Sequence, residues 1–494
     1  MSIRPVHKPR VRRVLTLGCG PLLAAIAMAI LPDAYTATGM TAVPLSDPAR
    51  LALALGLWMA AWWLTEAVPL SATALLPLIV LPLFGGEPAS VTAGGYAHPL
   101  IFLFLGGFLL SRAIEKWGLH EWIARRVLAR SAGSPRRLIG GFMLVTAFAS
   151  MWLSNTATSI MMLPIALSAV RELALDDPRA GDEVASRLLL AIAYSASIGG
   201  MATLIGSPPN LFVAGFLEER MGVGIDFRTW LIAALPAAMC LLPLTWWWLT
   251  RDMAHHTVNA AHATIPVAVS WENLPVPTRR VAWIFLCTVA AWIFRSNLNE
   301  MTVGGMTPLS GLSDTGIALM AGLALFVIPS GCDAAERLLQ AQDFARLPLD
   351  TLLLFGGGLA LAAALSRSGA DQFLGGALAG LPGLPAWGFL LLLIGGIVFL
   401  TELTSNIATT TALAPVLVAA ALPLGLPAGT IGVVTALAAS AAFMLPVATP
   451  PNAIVYGSGR VSAATMRRNG LMINLFSVAV LFATSSWWLP RVLT

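Results

Sequence analysis

The chain is 494 residues long, 57% hydrophobic and only 11% charged, with a net charge of +5 from 29 basic and 24 acidic side chains. Soluble proteins carry about 25% charged residues and about 45–50% apolar ones, so there is too little charge here to cover a soluble surface of this size. The mean hydropathy of +0.80 also excludes a disordered chain, and the composition predicts many membrane spans.

Arg4, Lys8, Arg10, Arg12 and Arg13 precede an uncharged run over residues 14–32. A signal peptide has that order of features, but this run is long for one and further apolar stretches follow. It is read as a first span with its basic tail in the cytoplasm, so that residues 1–50 hold a tail and one span. Charge-free runs recur over 51–65, 67–86, 88–111, 138–170, 188–217 and 229–250. The second half repeats the pattern over 281–294, 315–332, 351–366, 372–401, 403–459 and 469–490. A helix of about 20 residues crosses a hydrocarbon core of about 30 Å, and the expected fold is an all-α polytopic membrane protein of about 11 transmembrane helices.

The basic residues gather between the runs, as orientation signals do, and no nucleic-acid partner is expected. Arg125, Arg126 and Arg130 lie on an expected interfacial helix whose apolar face is Leu119, Trp122, Ile123 and Val127. Arg279 and Arg280 close a cytoplasmic linker over 251–280, and Arg460, Arg467 and Arg468 mark a later cytoplasmic loop. Trp62, Trp63, Trp246, Trp247, Trp248, Trp487 and Trp488 suit interfacial belts. The expected location is the plasma membrane, the inner membrane of a bacterium, with a cytoplasmic N-terminus and lipid on all sides.

The run 138–170 is 33 residues long. As one helix it would measure about 50 Å, and as two crossings it is too short. Arg136 and Arg137 precede it and Arg171, Arg179 and Arg187 follow it, which puts both ends in the cytoplasm. The segment therefore enters and returns as a re-entrant hairpin, and its centre is Ser154, the start of Ser154-Asn155-Thr156.

The chain also repeats itself. Phe104-Leu105-Gly106-Gly107 returns as Phe355-Gly356-Gly357-Gly358, an offset of 251 that Gly118 and Gly369, Ser154 and Ser405, Asn155 and Asn406, and Pro164 and Pro415 share. Gly206-Ser207-Pro208-Pro209-Asn210 returns as Ala448-Thr449-Pro450-Pro451-Asn452, an offset of 242. The first repeat spans 51–250, with a broken helix over 188–217. The second spans 281–494, with a hairpin around 384–422 and a broken helix over 428–459. Between Asp371 and Arg460 the only charge is Glu402, so the second hairpin lacks basic roots and the two copies are expected to be inverted. Two inverted repeats, two re-entrant hairpins and two broken helices are the mark of a secondary transporter.

Each copy offers two polar breaks at membrane depth, tolerated only inside protein or beside a water-filled cavity. At the hairpin tips, Ser154 and Ser405 are natural N-caps for the returning half-helix, whose free N–H groups carry about half a positive charge. Tip carbonyls and hydroxyls suit a small hard cation, so one tip can hold an anion and a cation together. At the second break, Pro-Pro-Asn unwinds the span, and Gly206 and Ala448 let backbone carbonyls approach closely.

These residues resemble the divalent anion/sodium symporter (DASS) family, and the resemblance runs from Trp62-Trp63-Leu64-Thr65-Glu66-Ala67-Val68-Pro69 to the last span. It implies import of a divalent anion, first a C4-dicarboxylate and then sulfate or citrate, coupled to sodium, by a homodimer working as an elevator. One implied sodium site falls on Ser150, Ser154, Asn155 and Gly206, the other on Thr401, Thr404, Asn406 and Ala448. The implied anion contacts are Ser154, Asn155, Thr156, Ser207 and Pro208, with Ser405, Asn406, Ile407, Thr449 and Pro450 from the second copy. The family's second tip usually ends in threonine, and Ile407 departs from it. A lost hydrogen bond to a charged group costs about 1.5–3 kcal/mol, so an anion other than a plain four-carbon dicarboxylate stays open. The implied sodium ligands remain, and no lysine or histidine replaces them, which favours sodium coupling over sodium-independent exchange.

Neither motif contains an arginine or lysine, while a divalent anion carries about two negative charges and two half-helix ends supply about +0.5 each. Co-bound sodium is expected to supply the rest, binding first. Glu66, His98 and Glu402 lie in or near apolar runs, where ionisable groups are functional candidates; bracing is expected for both glutamates and an interfacial place for His98. The two lysines, Lys8 and Lys116, fit no phosphate-binding loop. Cys19, Cys240, Cys287 and Cys332, and likewise His255, His256 and His262, lack metal spacing. With no titratable pair, metal cluster or nucleophile elbow, an enzyme is not expected, and a channel is the remaining rival.

Overall fold

The computed structural model describes residues 10–36, 42–128, 134–172, 178–222, 224–253, 270–333, 336–370, 372–374 and 385–493. The tail 1–9, Arg130, His255, His256, His262, Asp371 and the body of the 251–280 linker lie outside these residues.

The chain is an all-α polytopic membrane protein, 77% helical. Its first half runs α1 (Arg10–Ile30), α2 (Asp47–Thr65), α3 (Leu70–Thr73), α4 (Leu76–Phe84), α5 (Ala89–Gly94), α6 (Pro99–Lys116), α7 (Leu119–Leu128), α8 (Pro135–Ser150), α9 (Asn155–Glu172), α10 (Pro178–Ala202), α11 (Pro208–Met221) and α12 (Phe227–Thr250). The second half runs α13 (Val276–Ile293), α14 (Arg295–Glu300), α15 (Asp314–Val327), α16 (Ala341–Phe344), α17 (Leu349–Arg367), α18 (Ala386–Leu400), α19 (Asn406–Ala421), α20 (Ala428–Ala439), α21 (Pro450–Gly457), α22 (Ala463–Trp487) and α23 (Leu489–Leu493). Strands Ala34–Thr36 and Ala42–Pro44 form one antiparallel pair. Among the described residues seven helices are long and apolar enough to cross a membrane.

Local chemistry sets the helix starts. Ser46, Asp226, Ser313 and Ser462 each accept a hydrogen bond from the backbone N–H three residues on, meeting one of the four orphan donors of a first turn. Glu66 ends α2 in the left-handed region, φ 47°, where a non-glycine residue is uncommon.

The duplication read from the sequence is a symmetry of the contacts. Phe104 and Phe355, equivalent residues 251 apart, touch edge to face with centroids 5.1 Å apart. A residue that contacts its own counterpart lies on the two-fold axis relating the copies. Around it the contacts cross over in pairs. Lys116, ending α6, donates to Asp343 ahead of α17 at 2.9 Å, and its counterpart Arg367, ending α17, donates to Glu87 ahead of α6 at 2.6 Å. Gly106 lies where a Cβ would strike Ala318, and its counterpart Gly357 where one would strike Ala74. With the end of each helix beside the start of the other, α6 and α17 run antiparallel. Both are apolar enough to span, so the axis lies in the membrane plane and the copies are inverted.

The core sits around α10, buried throughout residues 188–202 and packed against α8, α9, α12 and α21. A helix apolar all round has no surface to present to water. Large apolar side chains such as Phe84, Leu144, Met239, Leu323 and Leu392 are exposed on the outside, as lipid contact requires. Arg136 lies over the Trp246 ring at 4.5 Å and Arg251 and Arg491 lie over Trp248 and Trp487, giving the aromatic–basic rims of an interfacial belt. Trp63 departs from the belt expectation: it is fully buried, and its indole N–H donates to Leu70 O at 3.2 Å. The turn after α2 folds α3 back over it and makes it part of the core.

Candidate functional site

The first hairpin is α8, a tip over residues 151–154, and α9. Ser154 ends the tip and its Oγ accepts from Ala157 N at 3.2 Å, so it caps the returning helix. The Ser150 hydroxyl donates to Asn155 Oδ1 at 2.6 Å, and Ser159 donates to Asn155 O at 2.9 Å. An amide oxygen has two lone pairs, and Asn155 Oδ1 keeps one for a further partner.

The second hairpin is α18, residues 401–405 and α19, and it lacks the expected cap: Ser405 stands at the N-cap position but its side chain makes no capping bond. The Thr401 hydroxyl lies 2.9 Å from Asn406 Oδ1 and 2.8 Å from Ala439 O, and Thr410 donates to Asn406 O at 2.8 Å. The Thr404 hydroxyl donates to Leu400 O at 3.0 Å and lies 2.6 Å from the Thr409 hydroxyl.

The broken helices come to these tips. In the first copy α10 ends at Ala202 and α11 starts at Pro208. Thr203 Oγ1 donates to Met151 O on the hairpin tip. A Cβ at Gly200 would collide with Asn155 Oδ1, so only glycine lets that amide sit against α10. Gly206 is held as closely, since a Cβ there would meet Gly200 O at 2.7 Å. In the second copy α20 ends at Ala439 and α21 starts at Pro450, with Thr449 capping Asn452 N at 3.3 Å.

Each returning half-helix also packs against the other copy: α9 on α21, and α19 on α11. The structure thus joins Ser150, Asn155 and, through Gly200, the Gly206 turn in the first copy. In the second it joins Thr401, Asn406 and the Ala439 carbonyl, and the turn leading to Ala448 reaches the hairpin through Glu402, which accepts from Leu445 N. Ser154 is exposed, while Asn155, Thr156, Ser405 and Asn406 are half-buried and Ser207 and Thr449 are buried. Ile407 is 8% exposed, so its side chain points into packing and presents no donor at the tip.

Glu402 is 3% exposed. Its Oε1 accepts from Phe443 N at 2.7 Å, Met444 N at 2.8 Å and Asn474 Nδ2 at 2.8 Å, and Oε2 accepts from Leu445 N at 2.9 Å. The carboxylate therefore braces the second break and tethers it to α22. His98 caps α6 through Nδ1, which accepts from Leu100 N at 3.3 Å, and turns Nε2 toward Glu218 on α11 at 3.9 Å. Sequence reasoning placed Asn210 and Asn452 in the motif but gave them no role. In the fold both are fully buried and both donate to backbone carbonyls of the break.

A citrate transporter family model matches residues 60–438. The chain belongs to that transporter family. It is 35% identical, over 98% of its own length and 92% of the relative's, to the sodium-dependent dicarboxylate transporter SdcS of Staphylococcus saprophyticus. The SdcS of Staphylococcus aureus strain USA300 is also 35% identical, over 89% of this chain and 86% of that one. The solved structure of Neisseria gonorrhoeae MtrF, described with a class of antimetabolite efflux pumps, superposes with a TM-score of 0.60 at 13% identity, covering 98% and 96% of the two chains. That likeness concerns the fold alone. The family and the relatives place the chain among DASS transporters and not among enzymes. The family match extends through both hairpins and stops before the second Pro-Pro-Asn break, so the contacts of that break are read from this structure.

Proposed function

We propose that this DASS-family protein imports a divalent anion, most simply a C4-dicarboxylate, together with sodium. The observation that carries the reading is the pair of matching oxygen sets. In each copy a hydroxyl lies against an asparagine Oδ1 at a hairpin tip and the end of the broken helix comes to it, through Gly200 in the first copy and the Ala439 carbonyl in the second. Neutral hydroxyl and carbonyl oxygens suit a hard monovalent cation. The sodium sites are Ser150, Ser154, Asn155 and Gly206, and Thr401, Thr404, Asn406 and Ala448. Anion carboxylates meet the first turns of α9 and α19 at Ser154, Asn155, Thr156, Ser405 and Asn406, with Ser207, Pro208, Thr449 and Pro450 closing the space.

The half-helix ends supply about +0.5 charge each, and sodium bound at both tips completes the neutralisation, so cation binding precedes the anion. Each extra positive charge moved inward gains about 2.3 kcal/mol per 100 mV of membrane potential, which drives accumulation. The hairpins and broken helices move together as an elevator against the spans around α6 and α17, in a homodimer whose N-terminus is cytoplasmic. Citrate is the second reading, favoured by the citrate transporter family model that the chain matches.

Proteoliposomes offered labelled succinate, citrate and sulfate, each with and without an inward sodium gradient, test both. Saturable succinate uptake and counterflow only with sodium is the expected result. Undiminished uptake without sodium overturns the coupling, and preferred citrate uptake selects the second reading.

A further inference from the structure

We propose that Asn210 and Asn452 are the positioning residues of the two cation sites, each amide fixing the backbone turn that ends on the cation-facing carbonyl of Gly206 or Ala448. The inference rests on the sodium sites of the preceding section and adds what holds them.

In the first copy Gly206 N donates to Thr203 O at 3.2 Å, closing the turn. Asn210 Nδ2 donates to the same Thr203 O at 2.8 Å, and to Gly200 O at 2.9 Å on the last turn of α10. One planar amide thus ties the end of the incoming helix to the turn, and it comes from the third residue of α11, so it also ties both to the outgoing helix. The second copy repeats the arrangement at the offset of 242. Ala448 N donates to Leu445 O at 3.2 Å, and Asn452 Nδ2 donates to Leu445 O at 3.0 Å and to Ala442 O at 3.3 Å. The same three bonds are made by equivalent atoms in two copies whose intervening residues differ.

A further shared feature separates this from ordinary packing. Both amides are fully buried, and Oδ1 of each has no hydrogen-bond partner. A buried acceptor left unpaired is costly, yet both copies carry it. The side chain is therefore used for its two N–H donors, in a geometry that a carboxylate or an apolar residue cannot supply.

The consequence for function lies in Gly200 and Gly206. Gly200 O accepts from Asn210, a Cβ on Gly206 would meet that oxygen at 2.7 Å, and Gly200 sits directly against Asn155 Oδ1. Loosening the amide frees the turn that presents Gly206 O and the surface on which Asn155 rests. The second turn has an additional hold, the Glu402 carboxylate on the N–H groups of residues 443–445. The first turn has no carboxylate in that role, because the residue equivalent to Glu402 is Met151. The first site therefore depends on its asparagine more than the second does.

The test uses the full-length protein in proteoliposomes, with sodium titrated at saturating succinate, and purified protein without anion, with sodium-dependent thermal stabilisation as a binding readout. Serine at either position is polar but too short to reach both carbonyls. Asn210→Ser is expected to raise the sodium half-saturation about tenfold, equivalent to about 1.4 kcal/mol, with maximal uptake at saturating sodium within about twofold of wild type. Asn452→Ser is expected to raise it less, and both should weaken stabilisation by sodium in the absence of succinate. If Asn210→Ser does not accumulate as folded protein, Asn452→Ser with the Glu402 hold intact carries the test, with a rise of about threefold in the sodium half-saturation expected. Sodium-dependent wild-type uptake with unshifted half-saturation in the variants, or a loss of maximal rate alone, overturns the proposal and leaves the sodium sites standing. Sodium-independent wild-type uptake overturns both.

Discussion

The two copies solve one problem with different means. Both hold an asparagine at a hairpin tip by a neighbouring hydroxyl, Ser150 on Asn155 and Thr401 on Asn406. The breaks that meet the tips differ in length: residues 203–207 join α10 to α11, while residues 440–449 join α20 to α21. The short break needs only the Asn210 amide and the Thr203 bond to the tip. The long break leaves three consecutive N–H groups without helical partners at membrane depth, each costly if unpaired, and Glu402 takes all three. A carboxylate can be buried here because backbone dipoles surround it, which is how a buried charge is tolerated. Two equal sites thus require unequal scaffolds once the loops differ.

The comparison can be broken at several points. The largest expected effect is at what the copies share. On the proposed sites, Asn155→Ala and Asn406→Ala each remove a cation ligand and an anion contact, bonds worth about 1.5–3 kcal/mol apiece when charged, so sodium-driven succinate uptake should fall about 100-fold or more in each. An active Asn155→Ala protein would mean that the first tip is not a binding site.

Next comes what they do not share. Glu402→Gln places an N–H group against backbone donors and should destabilise the purified protein by about 3 kcal/mol, seen as a lower thermal midpoint. Met151→Gln, at the equivalent position, should change the midpoint little. Equal shifts would show that the bracing is not specific to the second break.

Smaller effects sharpen the contrast between tips. On the proposed anion contacts, Ile407→Thr adds a hydroxyl at the position equivalent to Thr156 and should lower the succinate half-saturation by up to about tenfold, the effect of about one hydrogen bond to a charged group. Thr156→Ile should raise it. No change in either would place residue three of the motif outside the anion site.

The smallest effect concerns the crossed ion pairs. Asp343 is buried, which raises its pKa, but the hydrogen bond from Lys116, the Gln340 N–H and the nearby Arg112 outweigh burial and hold it below the usual carboxylate value. A depressed pKa means that the contribution to stability is present above the unfolded-state value, about 4, and is lost as pH falls through the folded-state value. Asp343→Asn should lower the thermal midpoint modestly near neutral pH and have no further effect in acid. The mirror pair, Arg367 with Glu87, is more exposed at Arg367, 41%, and Arg367→Gln should cost less.

Much of this was legible in the chain. Hairpin tips were found because a 33-residue charge-free run flanked by arginines fits neither one crossing nor two. Both breaks were found because Pro-Pro cannot continue a helix. Inversion followed from the missing basic roots of the second hairpin. Roles that depend on partners far along the chain were not legible. Glu402 reads as a lone acid in an apolar run, and its partners are backbone N–H groups about 40 residues on, which have no sequence signature. Asn210 and Asn452 read as part of a helix break, and nothing in their spacing says that their amides reach back to residues 200 and 442. Trp63 looked interfacial because a tryptophan pair usually is, and a turn of four residues buried it.

By itself, then, the sequence determined the solvent, the all-helical make-up of the chain and the places where the backbone must leave the helix. Those are decided by composition, charge and proline, which act locally or through the bilayer. The tertiary structure decided how the copies meet: Phe104 on Phe355 at the axis, α9 on α21, α19 on α11, and a buried carboxylate on one break only. These are matters of shape and of which orphan N–H finds which acceptor, and they are settled only when helices distant in the chain are packed together.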